Sequence, residues 1–424
     1  MRLVCRPSPR LRLSLVASVV AFSVLALAGG AYGGGRDAVP QRTIVVLEEG
    51  ASIRAVLADY GVRPSHVYRH ALRGFAAPLE AGTQRALAGD SRVAYVSADG
   101  EVHAVAQTLP TGINRIDGET SSTAAGNGTG AVGNVAVAVI DTGIDVDHPD
   151  LNVAGGKNCS TGKSFDDGNG HGTHVAGTIA AKDDANGVVG VAPGAPIYAV
   201  RVLNNAGSGS WSSVICGVDW VTANAASKGI KVANMSLGGS GSDGSCGSHA
   251  LHQAICNSVA AGVTYVVAAG NSSADFKNFV PAAYDQVLSV TAVADFNGLP
   301  GGGASPTCRS DVDETFADFS NFATLASDQN HAIAAPGVCI ESTWKGGGYR
   351  TISGTSMASP HTAGTAALCI STGACTGTPA TIMQKLRDDA AAYNSANTTY
   401  GFQGDPLRPA SGKYFGYLLR AGGY

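Results

Sequence analysis

The sequence predicts an α/β fold, a parallel sheet flanked by helices, with a small α+β domain of ferredoxin-like strand order in front. Three observations predict it. From residue 109 onward, short runs that are apolar throughout alternate with helical stretches, as expected of strands buried on both faces. Residues 36–107 read strand, helix, strand, strand, helix, strand. The first 28 residues have the texture of neither part.

That first segment carries Arg2, Arg6, Arg10 and Arg12, then LSLVASVVAFSVLALA, then small residues with an A-x-A type cleavage site at Ala26 to Ala28. This is the pattern of a secretory signal peptide, 1–28. The run is short for a membrane span and no comparable run follows, so a secreted, extracellular protein with no membrane partner is expected. In the small domain RTIVVLEEG reads as a strand, ASIRAVLADYG as a helix ended by Gly61, SHVYRHA and GFAAPLE as strands, GTQRALAGD as a helix and RVAYVSADGEVHA as the last strand. In residues 109–424 the strands are NVAVAVID, IYAVRVL, KVANMSL, VTYVVAAG and VLSVTAV, and the helices include SSVICGVDWVTANAAS and SHALHQAICNSVAAG.

Composition narrows the function. Charged residues make up 14% and glycines number 57 in 424 residues, as in a compact, loop-rich enzyme. The net charge is −4 with no basic run beyond the N-terminus, which excludes the footprint of a nucleic-acid binder. Lys and Arg balance Asp and Glu at 8 each in residues 36–107, and stand at 16 against 24 from residue 109. Removal of Cys5 with the signal leaves eight cysteines, an even count that favours disulfides in an oxidising compartment. Short spacing makes Cys246 with Cys256 and Cys369 with Cys375 candidate pairs; Cys159, Cys216, Cys308 and Cys339 stay unassigned.

Three segments set a reactive side chain among glycines. In VAVIDTGIDVDHPDL, Asp141 ends a buried strand, where open α/β sheets place their ligands. Alone, DTG reads as a turn. In DDGNGHGTHVAGTIAA, His171 and His174 open a helix; the zinc motif HExxH is absent, and His174 by itself reads as a hydrogen-bonded core histidine. In ISGTSMASPHTAGTAAL, Ser356 stands at a helix start, with Pro360 read as lying in the first turn. Such a start offers unpaired N–H groups and partial positive charge, so the serine is an N-cap or a nucleophile. A nucleophile needs a base, and the base an orienting group; Asp141, His171 and Ser356 supply all three.

Together VIDTGID, GHGTHVAGTIA, VVAAGNSS and SGTSMASPHTAG resemble the signatures of the subtilisin-like serine proteases, the subtilases. LPTGINRIDG and STWKGGGYRTISGTSMASPH are similar to their proteinase K branch. The small domain resembles the family's inhibitory propeptide. The resemblance implies a serine endopeptidase made as an autoprocessed zymogen, cut near Gln107 or Thr108, in which Asp141, His171 and Ser356 form the triad, the chain order being that of subtilisin. It implies that Asn271 donates its side-chain amide to the oxyanion together with the N–H of Ser356. It makes Gly207, Ser208 and Gly209 of LNNAGSGSWS the positions that pair with the substrate backbone. Ser236, Leu237, Gly238 and Gly239, with Ala268, Ala269 and Gly270, then wall the pocket for the side chain before the cut bond. With no charge in either wall, that pocket should take apolar or aromatic residues.

No cofactor is expected for the chemistry. Structural calcium is expected to be possible with no ligands assigned: where the proteinase K branch has an aspartate before APG, this chain has DQNHAI before AAPG, with His331 near that position and Asp328 as a substitute. The expected partners are protein or peptide substrates and the chain's own propeptide, with a monomer as the assembly. GGKNCSTGKS nearly spells a P-loop, but five residues separate Gly156 from Gly162 where four are needed. A lipase is excluded because G-x-S-x-G occurs nowhere. The remaining alternative, a catalytically silent relative acting as a binding protein, has against it that all four catalytic positions are filled.

Overall fold

The computed structural model describes residues 41–99 and 107–424. The expected signal segment lies outside the described residues, as do the first residues of the small domain and the end of its last strand. The chain divides into two compact units at His103/Ala104, a few residues before the boundary read from the sequence.

The first unit runs β1 (Gln41–Leu47), α1 (Ile53–Asp59), β2 (His66–Tyr68), β3 (Gly74–Leu79), α2 (Ala81–Ala88) and β4 (Val93–Ala98). Ser52 caps α1 by accepting the Ala55 N–H at 3.3 Å. The sheet order is β2-β3-β1-β4, antiparallel throughout, which is the ferredoxin-like order expected. Val45 and Phe75 from the sheet and Val56 and Leu87 from the helices form its buried centre.

The second unit begins with α3 (Thr111–Arg115), β5 (Ala136–Asp141), β6 (Val153–Asn158), α4 (His171–Ala180), β7 (Ile197–Arg201), α5 (Trp211–Lys228) and β8 (Ile230–Met235). It continues through β9 (Gly239–Ser240), α6 (Ala250–Ala260), β10 (Thr264–Ala268), β11 (Phe279–Val280), β12 (Leu288–Ala294), β13 (Thr315–Phe316) and α7 (Ala326–Gln329). It closes with β14 (Ala332–Pro336), the hairpin β15 (Ile340–Trp344) and β16 (Gly348–Ile352), α8 (Thr355–Ser371) and α9 (Pro379–Ala396).

The main sheet has the order β13-β12-β10-β8-β5-β7-β6, with β14 also beside β12. All pairings are parallel except that of β13 with β12. Each strand serves two cores. Val137 and Val139 of β5 join α4 and α8 on one face, while Ala138 and Ile140 join α5 and α6 on the other. This is why the strands are mainly apolar along their length rather than at every second position.

From β5 the chain builds outward to β7 and β6 on one side and to β8, β10 and β12 on the other. The carboxyl end of β5, which is Asp141, therefore lies where the direction of strand addition reverses, the crevice in which open α/β sheets bind ligands. Four disulfides tie the loops down: the two expected pairs, Cys246–Cys256 and Cys369–Cys375, and also Cys159–Cys216 and Cys308–Cys339. Among the described residues no helix is long and apolar enough to cross a membrane.

Candidate active site

Asp141 is fully buried, and its Oδ1 accepts the Thr142 N–H at 2.7 Å and the His171 Nδ1–H at 2.8 Å. His171 is the first residue of α4, with its side chain 26% exposed. Gly172 permits the approach: a β-carbon there would stand 2.1 Å from the Gly143 carbonyl oxygen and 3.1 Å from Asp141 Cβ. Burial pushes the His171 pKa down, but the charge and hydrogen bond of Asp141 and the charge of Asp167 outweigh it and leave it raised.

Asp167 was not singled out in the sequence, yet it organises the turn into α4. Its Oδ1 accepts from Thr142 Oγ1 at 2.9 Å and from the N–H groups of Asn169 and Gly170 at 2.8 and 2.9 Å. Its Oδ2 accepts from Thr173 N and Oγ1 at 3.0 and 2.6 Å. The carboxylate thus satisfies orphan donors at a helix N-terminus, where negative charge is favoured. A DDG before a glycine-rich helix start is the signal that could have found it.

Ser356 is the second residue of α8, and its Oγ donates to the Ser236 carbonyl at 3.2 Å. No hydrogen bond joins it to His171 among the described residues; in ligand-free sites a nucleophile–base bond is often long. Pro360 is not in the first turn, as the sequence suggested, but is the sixth residue of α8. An N–H at that position would pair with the Ser356 carbonyl. The Ser236 hydroxyl takes its place, donating to the Ser356 oxygen at 2.8 Å. Asn234 holds that hydroxyl through Nδ2 at 2.9 Å and accepts from Ser359 Oγ at 2.7 Å.

Asn271 follows β10, exposed at the crevice. Its Oδ1 accepts from Thr355 N and Thr355 Oγ1 at 2.8 and 2.9 Å, and Thr355 Oγ1 accepts the Gly270 N–H at 3.1 Å. With the carbonyl end occupied, Nδ2 is left to face the crevice. The place a β-carbon on Gly354 would take lies 3.5 Å from Asn271 Nδ2 and 3.6 Å from Ser356 N, so the two donors border one small volume. Thr355, missed in the sequence, is the residue that orients the amide.

Two cavities meet along Ser236–Gly239. One, of about 700 Å³, is lined by His171, Asn169, Leu203, Gly207, Ser208, Gly209 and Trp211. The other, of about 360 Å³, is lined by Ala268, Ala269, Gly270, Asn271, Phe279, Val280 and Ser356 and has no charged side chain in its wall. Every substrate-contact residue named from the sequence borders one or the other. His174 does not: it is buried, its Nε2–H is shared by the Ile340 and Arg350 carbonyls at 3.0 Å each, and burial pushes its pKa down to about 3.

A second group was not legible. The Gln107 side-chain amide faces the carbonyl oxygens of Lys182, Asn186 and Val188 at 2.7, 3.3 and 3.1 Å. Gln107 Oε1 and Asp150 Oδ1 are buried without partners, and burial with the charge of Asp184 holds the Asp150 carboxyl up at about 7. Three converging carbonyls, a lone carboxylate oxygen and an amide that can present either end are the donor set of a hard cation. The donor set suits calcium, which Gln107, Asp150 and the three carbonyls would hold.

Residues 133–403 match the Subtilase family, Peptidase S8. Subtilisin DY of Bacillus licheniformis is 43% identical over 270 residues, 63% of this chain and 86% of that protein. Subtilisin NAT of Bacillus subtilis subsp. natto is 34% identical over 406 residues, 93% of this chain and 97% of that one, so the similarity reaches across the first unit as well. A solved structure of a cold-adapted subtilisin-like serine proteinase is similar at 33% identity with a TM-score of 0.54, covering 74% of this chain and 98% of that one.

Proposed function

The chain belongs to the subtilase family and is a serine endopeptidase, and we propose that it is exported as a zymogen and cuts peptide bonds with Asp141, His171 and Ser356. The observation that carries the reading is the pair of donors, Asn271 Nδ2 and Ser356 N, bordering one volume.

In this reading Ser356 Oγ attacks the substrate carbonyl carbon while His171 Nε2 takes its proton. Asp141 holds the Nδ1–H and stabilises the imidazolium. The negative oxygen forms between Asn271 and the Ser356 N–H. Collapse breaks the C–N bond, His171 returns the proton to the leaving amine, and water repeats the sequence on the acyl-enzyme. Gly207, Ser208 and Gly209 add the substrate backbone as a strand, and the uncharged cavity of about 360 Å³ receives an apolar or aromatic side chain.

Residues 1–28 act as the signal and residues 36–106, one residue short of the 36–107 expected, as the inhibitory propeptide of a monomeric enzyme. The anchoring of Gln107 and Thr108 supports a cut just N-terminal of Gln107, since the Thr108 N–H also bonds the Gly187 carbonyl at 2.7 Å. Calcium at Gln107 and Asp150 would fasten the new N-terminus and take no part in the chemistry. The test is the Ser356→Ala protein in a host without other secreted proteases: it should accumulate uncut, and the isolated domain should inhibit the wild-type enzyme in trans. Normal maturation of that variant would rule self-cleavage out.

A further inference from the structure

The Cys246–Cys256 disulfide joins loop 241–249 to α6, and a buried histidine stands beside it with one ring nitrogen unused. His252, in the first turn of α6, is 0% exposed, and its ring stacks on Tyr284 with centroids 3.9 Å apart and planes 1° from parallel. Its Nε2 meets Gln286 Oε1 at 2.6 Å. An amide oxygen only accepts, so Nε2 carries a proton and Nδ1 is the nitrogen left to take a ligand. Among the described residues Nδ1 has no hydrogen-bond partner. Buried polar atoms without one are few, and each calls for an explanation.

The surroundings of the ring are a set of metal ligands. One His252 ring nitrogen and the sulfurs of Cys246 and Cys256 all lie within 4.8 Å of one another, and Asp243 Oδ1 is 3.7 Å from Nδ1. His252 and Cys256 stand four apart on α6 and so share a face, while Asp243 and Cys246 come from the loop before it. The Asp243 side chain, 33% exposed, opens the group to solvent. Gln286 adds the outer partner: a histidine that binds metal through one nitrogen donates its other N–H to an oxygen acceptor, which fixes the tautomer. In the oxidised chain the sulfurs are bonded to each other, and Nδ1 stays unpaired.

We propose that Cys246 and Cys256, when they are thiols, bind one zinc ion together with His252 Nδ1 and Asp243 Oδ1, so that metal and disulfide are alternative states of one site. Two thiolates, an imidazole and a carboxylate make a four-coordinate zinc set, and the soft sulfurs select zinc over calcium or magnesium. Around tetrahedral zinc an imidazole nitrogen and a carboxylate oxygen stand roughly 3.4 Å apart, close to the 3.7 Å between His252 and Asp243. Zinc binding displaces the two thiol protons. Exchange with a disulfide oxidant then passes two electrons from the thiolates to that oxidant, closes the Cys246–Cys256 bond and frees the ion, while the oxidant takes up two protons and leaves as a dithiol. Until that exchange the metal holds the loop on α6 beside Tyr284 and Gln286, which follow Phe279, Val280 and Ala282 in the wall of the smaller cavity.

The test uses the full chain carrying Ser356→Ala, which removes autolysis and makes the result independent of the catalytic reading. With calcium present throughout, the protein is reduced by a dithiol, freed of it by anaerobic gel filtration and alkylated with or without zinc, the rate at each cysteine being read by peptide mass spectrometry. Zinc should slow alkylation of Cys246 and Cys256 at least about tenfold and leave the other cysteines unchanged. His252→Gln should abolish that protection although both thiols remain. Cys246→His in the unreduced chain serves where the reduced chain does not hold its fold, since it prevents this bond, leaves the other three disulfides closed and makes Cys256 the one free thiol after residue 28. That chain should bind one cobalt with thiolate charge-transfer absorption, weakened at least about tenfold by His252→Gln or Asp243→Ala. Equal alkylation with and without zinc in a folded reduced chain would overturn the proposal. So would a Cys246→His chain without the thiolate band, or metal binding that His252→Gln leaves unchanged.

Discussion

Replacing Thr355 by valine keeps the shape of a fully buried side chain and removes one hydroxyl. That hydroxyl donates to Asn271 Oδ1 at 2.9 Å and accepts the Gly270 N–H at 3.1 Å. Two costs follow. The Gly270 N–H loses its partner, which should lower stability by about 1–3 kcal/mol. Asn271 keeps one of its two anchors, the Thr355 N–H at 2.8 Å, so its amide loses about 1 kcal/mol of restraint. Passed to the transition state, that is a fall in kcat of about 5-fold. KM should move little, since Thr355 acts through Asn271. Losing the donor outright, in Asn271→Ala, should cost about 10²–10³ in kcat, which is the value known for subtilisin's own asparagine rather than one worked out from this chain. The assay is steady-state hydrolysis of a chromogenic peptide by wild type, both single variants and the double variant at a temperature where all are folded. If the hydroxyl acts through the amide, Thr355→Val costs nothing further in the Asn271→Ala background. An equal loss in both backgrounds would refute the reasoning.

Because the charges of Asp141 and Asp167 raise the His171 pKa, the acid limb of kcat/KM should lie above the ordinary imidazole value of about 6.5. Activity appears as pH rises through that pKa and the base becomes neutral. Asp167→Asn removes a charge that favours the imidazolium, so the limb should move to lower pH when each profile is normalised to its own plateau. Chelation should lower the Tm of the mature enzyme, and Gln107→Ala or Asp150→Asn should remove most of the calcium-dependent part of that Tm. Of the disulfides, opening Cys159–Cys216, separated by 57 residues, should cost about 4 kcal/mol, and opening Cys369–Cys375, separated by 6, about 2, by loop entropy; denaturant titration of the serine variants should reproduce the order.

Much of this was legible from local pattern. The five sheet strands read from the sequence are β5, β7, β8, β10 and β12, since each buries residues on both faces and so is mainly apolar with no regular alternation. Strand β6 was invisible because VAGGKN has neither alternation nor an apolar run; it is a strand because β7 pairs with it. The β15–β16 hairpin was hidden by its glycine-rich turn. Of the site, the residues whose own chemistry is distinctive stood out, and those that act through partners did not. Thr355 matters through Asn271, 84 positions away, and Asp167 through backbone N–H groups. Gln107 meets carbonyl oxygens 75 to 81 positions away, and backbone oxygens leave no trace in sequence. Pro360 was misplaced by one turn because helix starts are hard to fix without the cap, here Gly354.

The central claim is that Ser356, and no other serine near the crevice, is the nucleophile. Ser236 and Ser208 border the same cavities and are the natural competitors. Treating the mature enzyme with a serine-directed organophosphonate until activity is gone, then mapping the adduct by peptide mass spectrometry, separates them. One label per chain on Ser356, formed in proportion to the activity lost and absent from His171→Ala, is the expected result; full inactivation with the label on Ser236, Ser208 or any other residue would contradict the account.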